Sequence, residues 1–261
     1  MFRSLSIAAT GMSAQQTQLE SISNNIANAN TDGFKKQRVD FQDLLYQTVR
    51  AAGAQTSATT RSPTGLQLGS GVRVAGTARV FSQGQTFVTN NPLDLTIQGE
   101  GMFVVQQPDG NPAYTRMGGL QKDAQGQLVT PEGLPLDPPI IIPNEAVSVT
   151  VGYDGTVTAM IQGQTAPVEL GQITVASFIN PAGLHSLGRN LYIPTAASGE
   201  AQVGAPGQDG RGSLLQGALE KSNVDVVEEM VGLISTQRGY EVNSKIITAA
   251  DEMLRSATQM R

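Results

Sequence analysis

The sequence predicts an α+β protein. Long N- and C-terminal helices are expected to pair as a coiled-coil-like axial domain, and the middle of the chain to form a mainly antiparallel, all-β domain. Both chain ends repeat apolar residues at intervals of three and four or of seven, whereas the middle alternates apolar and polar residues between Gly- and Pro-rich turns. We therefore assign residues 1–45 and 213–261 to the helical domain, 46–71 to an extended insert or linker, and 72–212 to an outer β domain.

The composition excludes several classes of function. The 261 residues carry a net charge of −5, which argues against a nucleic-acid partner because phosphate binding needs clustered cations. No apolar run approaches the roughly 18 residues of a transmembrane helix, so we expect no membrane insertion. The absence of cysteine excludes disulfides and thiolate sites. The N-terminus lacks a sustained apolar core and so does not resemble a cleavable secretory signal.

The first helix is predicted to run from about Ser4 to Asn28. Its apolar seam has a period near 3.5, the spacing that lets one helix pack along another. The seam residues are Leu5, Ala8, Met12, Leu19, Ile22 and Ile26. Gly11 weakens this helix by roughly 1 kcal/mol relative to Ala, so the helix needs a partner. Asn and Gly residues between Asn28 and Gly33 tolerate the left-handed conformation and are expected to end it.

The last helix is predicted to open near residues 222–225 and to carry two neighbouring apolar stripes. The first stripe consists of Val226, Leu233, Tyr240, Ile247 and Leu254, and the second includes Val242, Ile246 and Met253. Two stripes are typical of a helix with more than one helical neighbour. The surplus apolar surface must therefore face another copy or another protein. A head-to-tail contact of this kind does not close on itself and builds a helical filament.

The middle of the chain is predicted to form short strands joined by turns. Leu93–Gln98 alternates, which predicts a half-buried strand with Asp94 on its outward face. Met102–Gln106 follows after a tight connection and predicts a second strand. We interpret the basic run Lys35–Arg38 as a solvated face, with a contact to an acidic neighbour as the alternative. Residues 55–63 are polar, small and unpatterned, which alone indicates a linker.

The sequence contains no recognisable catalytic, cofactor-binding or metal site. His185 is the only histidine, and without cysteine it cannot complete a Cys–His pair or a histidine-rich metal site. The serines lack the Gly-x-Ser-x-Gly elbow of a hydrolase. Asp94, Glu100 and Asp109 offer a carboxylate pair, but strand and turn positions account for Asp94 and Asp109. We therefore expect no cofactor and no enzymatic activity, and an assembly function instead.

Three separated motifs resemble those of the bacterial flagellar rod and hook proteins. They lie within residues 5–35, 91–103 and 220–245, in that order, and the resemblance covers essentially the whole length. The residues that carry it are Asn24, Asn25, Asn28, Gly33, Phe34, Leu93, Asp94, Gly99, Gly101, Ser222, Asn223, Gln237 and Arg238. Two residues depart from the family pattern: Met102 stands where an aromatic is usual and Gly239 where Ala is usual.

The resemblance implies a structural subunit of the distal part of the rod, which polymerises into a straight, rigid, hollow drive shaft that transmits torque from motor to hook. It implies contacts with copies of itself, with the proximal rod and hook proteins, and with the ring bushing of the peptidoglycan and outer membrane. It also implies contact with the flagellar type III export apparatus, export without signal cleavage, and a location in the periplasm-spanning basal body.

The resemblance further implies that the insert after the first helix keeps the rod straight and stiff, in contrast with the curved hook. The insert would then be an extended, packed element rather than a disordered loop. The residues assigned to it are Tyr46, Gln47, Ser57, Arg61, Pro63 and Gly65.

Three alternatives stay open from the sequence. A hook or proximal-rod subunit of the same family is expected to lack the insert at this position. A peptidoglycan hydrolase would need paired carboxylates or metal ligands, which the sequence does not support. A secreted β-rich adhesin or binding module would not explain a helical seam at both chain ends.

Overall fold

A computed structural model describes residues 2–53, 63–163 and 166–259 of the chain. The predicted α+β class is confirmed, with helices at both ends and antiparallel strand pairs between them. The chain divides into two compact units. Unit 1 comprises residues 1–26, 37–78 and 226–261, and unit 2 comprises residues 27–36 and 79–225. The predicted insert at 46–71 falls within unit 1.

Unit 1 contains both helices and short β ribbons. Its elements are α1 (Phe2–Ala27), β1 (Gln37–Asp43), β2 (Gln47–Arg50), β3 (Leu66–Leu68), nearly all of β4 (Val72–Arg79), and α2 (Val226–Gln259). Strand β1 pairs with β4, and β2 pairs antiparallel with β3, with Thr48 opposite Gln67. The described ends of the predicted insert therefore form a β-hairpin arm rather than an unstructured linker.

Unit 2 contains the remaining strands. They are β5 (Thr86–Val88), β6 (Leu95–Gln98), β7 (Met102–Gln106), β8 (Pro112–Thr115), β9 (Gln121–Lys122), β10 (Leu128–Val129), β11 (Ala146–Val151), β12 (Thr156–Ile161), β13 (Val168–Gln172), β14 (Val175–Ser177), β15 (His185–Gly188), β16 (Leu191–Ile193), β17 (Gln202–Gly204), β18 (Ser213–Gln216) and β19 (Ala218–Glu220). A six-stranded sheet has the order β15-β16-β8-β7-β14-β17. Strands β11, β12 and β13 form a separate antiparallel sheet.

The core of unit 2 lies around strands β6 and β7. Phe103 and Val105 are fully buried in one apolar cluster, and Met102 and Val104 are buried in a second on the opposite side of β7. A continuous apolar run is the pattern of a strand covered on both faces. The C-terminal strands complete this core, because β18 pairs with β6 and β19 with β5.

The half-buried strand predicted at Leu93–Gln98 is wrong in one respect. Leu95, Thr96 and Ile97 are all buried, so both faces of β6 are covered. Asp94, predicted to face outward, is 7% exposed. Its carboxylate accepts hydrogen bonds from Thr89 Oγ1 at 2.5 Å and Asn91 Nδ2 at 2.9 Å. The alternation therefore predicted the strand but not that both of its faces are buried. It places Thr96 among the polar, outward residues, but this side chain is small enough to lie in the interior.

Candidate assembly surfaces and the motif cluster

The two helices of unit 1 pack antiparallel in a single register. Asn25 Nδ2 donates to Glu229 Oε2 at 3.2 Å, and Asn243 Nδ2 donates to Gln15 Oε1 at 3.2 Å, so early residues of α1 meet late residues of α2. Between these two contacts, Ile22 lies against Gly232, where an added Cβ would be 3.5 Å from Ile22 Cδ1.

Glycines let the two helices approach closely. A Cβ at Gly11 would lie 2.9 Å from Asn243 Nδ2, and a Cβ at Gly239 would overlap the Gln15 amide. Glycine is costly in a helix, by roughly 1 kcal/mol relative to Ala, but here it makes room for amide side chains that bond across the pair. The contact between the helices therefore combines small residues and amide side chains with apolar residues such as Ile22.

The predicted seam residues lie at varied depths. Ala8 and Ile22 are buried, and a larger group is half-buried: Leu5, Met12, Leu19, Ile26, Leu233, Ile247 and Leu254. The others are exposed: Val226, Tyr240, Val242, Ile246 and Met253. Four further apolar residues are also exposed on α2, namely Val227, Met230, Val231 and Ile234. Helix α2 thus presents a long apolar surface, defined by these nine exposed residues and called the α2 stripe below.

The hairpin arm also carries exposed apolar residues at its described base. Leu45 is 90% exposed, and Tyr46, Val49, Leu66 and Leu68 are also exposed. Arg3 of α1 holds the arm, since its guanidinium donates to Gln47 Oε1 at 2.7 Å and to the Leu68 carbonyl at 2.5 Å. Of the insert residues predicted, Pro63 and Gly65 are exposed, whereas Ser57 and Arg61 lie outside the described residues.

In unit 2 a buried carboxylate joins the three sequence motifs. Glu220, at the end of β19, is 3% exposed. Its Oε1 accepts from Lys35 Nζ at 2.6 Å and from the Gly84 amide at 2.8 Å, and its Oε2 accepts from Arg116 Nε at 2.6 Å. The Glu220 carbonyl accepts from the Gly33 amide at 2.8 Å. We call Lys35, Arg116 and Glu220 the ion triad.

The interpretation of Lys35 as part of a solvated face is wrong. Its side chain is 1% exposed, whereas Arg38, three residues later, is exposed. A charged side chain is buried only when it is paired, and Lys35 also donates to the Ser82 carbonyl at 2.8 Å. A lysine followed by Lys36 and Arg38 looks like a surface run, and no local pattern marks the one residue that turns inward.

The glycine motif between β6 and β7 encloses Arg116. Gly99 and Gly101 have φ of 109° and 136°, which only glycine adopts readily. This backbone aims carbonyls at the guanidinium, which donates to Gly99 O at 2.7 Å, Gly101 O at 2.5 Å and Ile97 O at 2.9 Å. Together with Glu220, these three carbonyls give the Arg116 guanidinium four hydrogen-bond acceptors. The motif predicted its own turn but not the arginine that it binds.

The other motif residues tie distant segments together. Asn223 Oδ1 accepts from the Lys36 amide at 2.7 Å, and its Nδ2 donates to the Val80 carbonyl at 2.8 Å. Phe34 is buried with the Arg79 guanidinium 5.6 Å from its ring centre. Ser222 is buried and accepts from the Val224 amide. Of the remaining motif residues, Leu93 is half-buried against the core and Asn28 is half-buried. Asn24, Gln237 and Arg238 are exposed.

The charges of the ion triad shift the acidity of its carboxyl group. Burial alone would raise the pKa of Glu220, but the positive charges of Arg116 and Lys35 hold that pKa below its ordinary value. Within the described ranges, no cluster of three or more His, Asp or Glu is arranged to hold a metal. In the same ranges, no helix has both the length and the apolar character that a membrane span requires. The ion pairs of Glu220 thus join β19 to the segments that carry Lys35 and Arg116.

Comparison with known families and proteins agrees with the motifs. Residues 5–35 match the flagella basal body rod protein family, 96–159 the flagellar hook protein FlgE/F/G D1 domain, and 215–260 the flagellar basal body rod FlgEFG protein C-terminal family. The last of these begins within β18, so it includes Glu220.

Full-length relatives show the same likeness. The chain is 50% identical over 260 residues to the flagellar basal-body rod protein FlgG of Buchnera aphidicola from Schizaphis graminum, with 100% of both chains covered. It is 48% identical to the protein of the same description from Caulobacter vibrioides, with 99% of both chains covered. It is 40% identical to the one from Bacillus subtilis, again with 100% of both covered.

Proposed function

This chain belongs to the flagellar basal-body rod family and is a structural, non-enzymatic subunit of the distal rod; we propose that copies of it polymerise through their terminal helices into a straight, rigid, hollow drive shaft that carries torque from motor to hook. In this proposal unit 1 forms the axial part, with its helices packed against helices of other copies in a coiled-coil-like manner. The strands β5 to β17, which lie between residues 79 and 212, form the outer domain.

The α2 stripe is the observation that carries the proposal. Val227, Val231 and Ile234 are 70%, 63% and 51% exposed, although they lie along one side of a helix that is already paired with α1. Fully burying such a side chain contributes about 1.5–3 kcal/mol. Exposed apolar side chains on successive turns along one side of a helix mark a protein contact. We propose that the seam residues predicted on both helices form the interface between copies.

The hairpin arm is proposed to keep the polymer straight. Its described base is clamped to α1 by Arg3, and its exposed Leu45, Tyr46 and Val49 would pack on a neighbouring copy. A clamped strand pair transmits force between subunits better than a flexible linker would. The motif residues would then hold each subunit rigid, with Glu220 and Asn223 joining segments far apart in the sequence.

The remaining partners follow from the rod's place in the flagellum. We propose that the polymer begins on the proximal rod protein, accepts the hook protein at its other end, and turns inside the ring bushing of the peptidoglycan and outer membrane. The subunit would reach this location through the flagellar export apparatus, without cleavage of a signal peptide.

Sedimentation and electron microscopy of the full-length protein test the proposal. Wild-type protein should form straight filaments above a critical concentration. Val231→Ser should raise that concentration about tenfold, because a valine side chain no longer transfers from water into the contact. Val203→Ser is the matched control, since Val203 in β17 is 50% exposed, and it should change the value less than about twofold.

Two results would contradict the proposal. One is that the wild-type chain stays monomeric at every concentration and salt condition that keeps it folded. The other is that Val231→Ser and Val203→Ser polymerise alike. In either case the α2 stripe would not be the assembly surface.

A further inference from the structure

A small cavity in unit 2 reaches the two cations of the ion triad. It has a volume of about 70 Å³, and its lining residues are Lys35, Phe81, Glu100, Gly101, Arg116 and Pro181. A single water needs roughly 10–15 Å³ of such space, so the cavity has room for a small inorganic ion with a few waters. Lys35 and Arg116 therefore border one space of the size that a small ligand needs.

The ion triad carries a surplus positive charge. Lys35 and Arg116 are cationic, Glu220 is anionic, and all three residues are at most 5% exposed. A buried charge is costly unless it is paired, and one carboxylate balances only one of the two cations. Glu100 also lines the cavity, but it is exposed, and no hydrogen bond in the described structure joins its side chain to either cation. The cavity thus lies beside one uncompensated buried charge.

Each of the two cations also retains one N–H group. The Lys35 ammonium has three, of which two donate to Glu220 Oε1 and the Ser82 carbonyl. The Arg116 guanidinium has five: Nε donates to Glu220, Nη2 donates to two carbonyls, and Nη1 donates to the Gly101 carbonyl alone. Within the described residues, one N–H of Lys35 Nζ and one of Arg116 Nη1 therefore have no acceptor.

The acidity of Lys35 agrees with incomplete compensation of its charge. Burial lowers the pKa of this ammonium below its ordinary value, although the neighbouring Glu220 carboxylate opposes the shift. The Arg116 guanidinium lowers the same pKa further, because two like charges repel each other. A negative charge in the cavity would act against both causes.

We infer that this cavity is a binding site for one monovalent inorganic anion, with chloride as the ligand, held by Lys35 Nζ and Arg116 Nη1. A monovalent ion matches the single surplus charge, and a monatomic ion fits a cavity of this volume. The ion would accept the two remaining N–H groups, so that each cation contacts one negative charge at Glu220 and another in the cavity. The site lies in unit 2 and does not depend on polymerisation.

Thermal unfolding of the dilute full-length protein tests the site. Sodium chloride or bromide is exchanged for sodium gluconate at constant ionic strength, because gluconate is too large for the cavity. Each tenfold increase in halide above its dissociation constant should raise the melting temperature of unit 2 by about 3–5 °C, since a ligand of the folded state stabilises it. Near-ultraviolet circular dichroism of the buried Tyr114 and Tyr192 follows this unit. Equal melting temperatures in halide and gluconate would overturn the inference.

Two substitutions locate the halide effect at the cavity. Lys35→Met removes the surplus charge and one donor but keeps the pair of Arg116 and Glu220, so the melting temperature should no longer depend on halide, whatever its absolute value. Glu100→Gln removes a negative charge from the lining. It should lower the halide concentration at which the melting temperature begins to rise by about twofold or more.

The matched control is Glu169→Gln, which makes the same change of charge at an exposed position of β13 and should leave the halide dependence unchanged. Glu100 is exposed, so its variant decides the matter even if Lys35→Met does not fold. The inference is wrong if Lys35→Met keeps the wild-type halide dependence or if Glu100→Gln behaves like Glu169→Gln.

Anomalous scattering by bromide locates the ion directly. Crystals of the full-length protein grown in sodium bromide should show an anomalous peak between Lys35 Nζ and Arg116 Nη1. A bromide concentration that raises the melting temperature but gives no peak in the cavity would mean that the ion binds elsewhere, and the assignment to these two residues would fail.

Discussion

The two units differ in how completely they bury their apolar side chains. Unit 2 buries its apolar residues in strands covered on both faces and gives the charged groups buried by its motifs hydrogen-bond partners. Unit 1 pairs its helices through glycines and amides and leaves apolar side chains such as Val231 and Met253 exposed to water. A fully packed core makes unit 2 rigid, whereas the exposed apolar residues of unit 1 are available for contacts with other subunits. One chain thus combines the two properties that a stiff polymer needs.

The largest expected effect comes from the ion triad. Glu220→Gln leaves Lys35 and Arg116 buried without a counter-charge, and breaking one member of a buried ion pair costs about 3–5 kcal/mol. Urea unfolding followed by near-ultraviolet circular dichroism, which reports the packed Tyr114 and Tyr192, measures the loss. Glu169→Gln, on an exposed position of β13, is the control and should cost less than about 0.5 kcal/mol. Equal midpoints for the two variants would show that unit 2 does not depend on its triad.

The glycine cage of Arg116 should come next. Gly101→Ala forces a side chain into a left-handed conformation and against Val175, and we expect a loss of about 2–4 kcal/mol from backbone strain and overpacking. Gly110→Ala separates the two causes, because Gly110 also has a positive φ of 80° but nothing within 4 Å of an added Cβ. Its loss should be only about 1–2 kcal/mol. Identical losses would mean that the close packing at Gly101 contributes nothing.

Acid should weaken unit 2 through the same carboxylate. The folded pKa of Glu220 lies below its ordinary value of 4.5, so its stabilisation is complete above that value and is lost as the pH falls through the lower folded pKa. Unfolding free energies measured from pH 7 to pH 3 should therefore decline more steeply for wild type than for Glu220→Gln. Parallel pH profiles would contradict a salt-bridged Glu220.

The smallest effect is expected in the seam of unit 1. Gly232→Ala should stabilise α2 by about 1 kcal/mol, because its methyl meets Ile22 at ordinary contact distance. Gly239→Ala gains the same helix propensity but displaces the Gln15 amide from its bond with Asn243, so its gain should be about 1 kcal/mol smaller. Thermal unfolding followed at the helical dichroism band compares the two. A larger gain at Gly239 would mean that the amide contact does not hold the pair.

Several features could be predicted because they depend on the pattern of residues close together in the sequence. The apolar period of 3.5 near Leu5–Ile26 predicted α1, the turn residues from Asn28 to Gly33 predicted its end, and the run at Met102–Gln106 predicted β7. Other features had no local sign. The inward turn of Lys35 depends on Glu220, which lies 185 residues later in the chain. The partners of Asp94, Thr89 and Asn91, are close in sequence, but the alternation of the strand did not indicate that this carboxylate is buried.

The sequence by itself determined the α+β class, the helical ends and the family, because periodicity, turn chemistry and ordered motifs are properties of neighbouring residues. Only the tertiary structure decided which side chains meet. It placed Gly11, Gln15 and Asn25 beside the seam residue Ile22 at the contact between helices, and it brought Lys35, Arg116 and Glu220 into one buried triad. The reason is physical: a buried polar group is stable only with a partner, and that partner is chosen by the fold and not by sequence proximity.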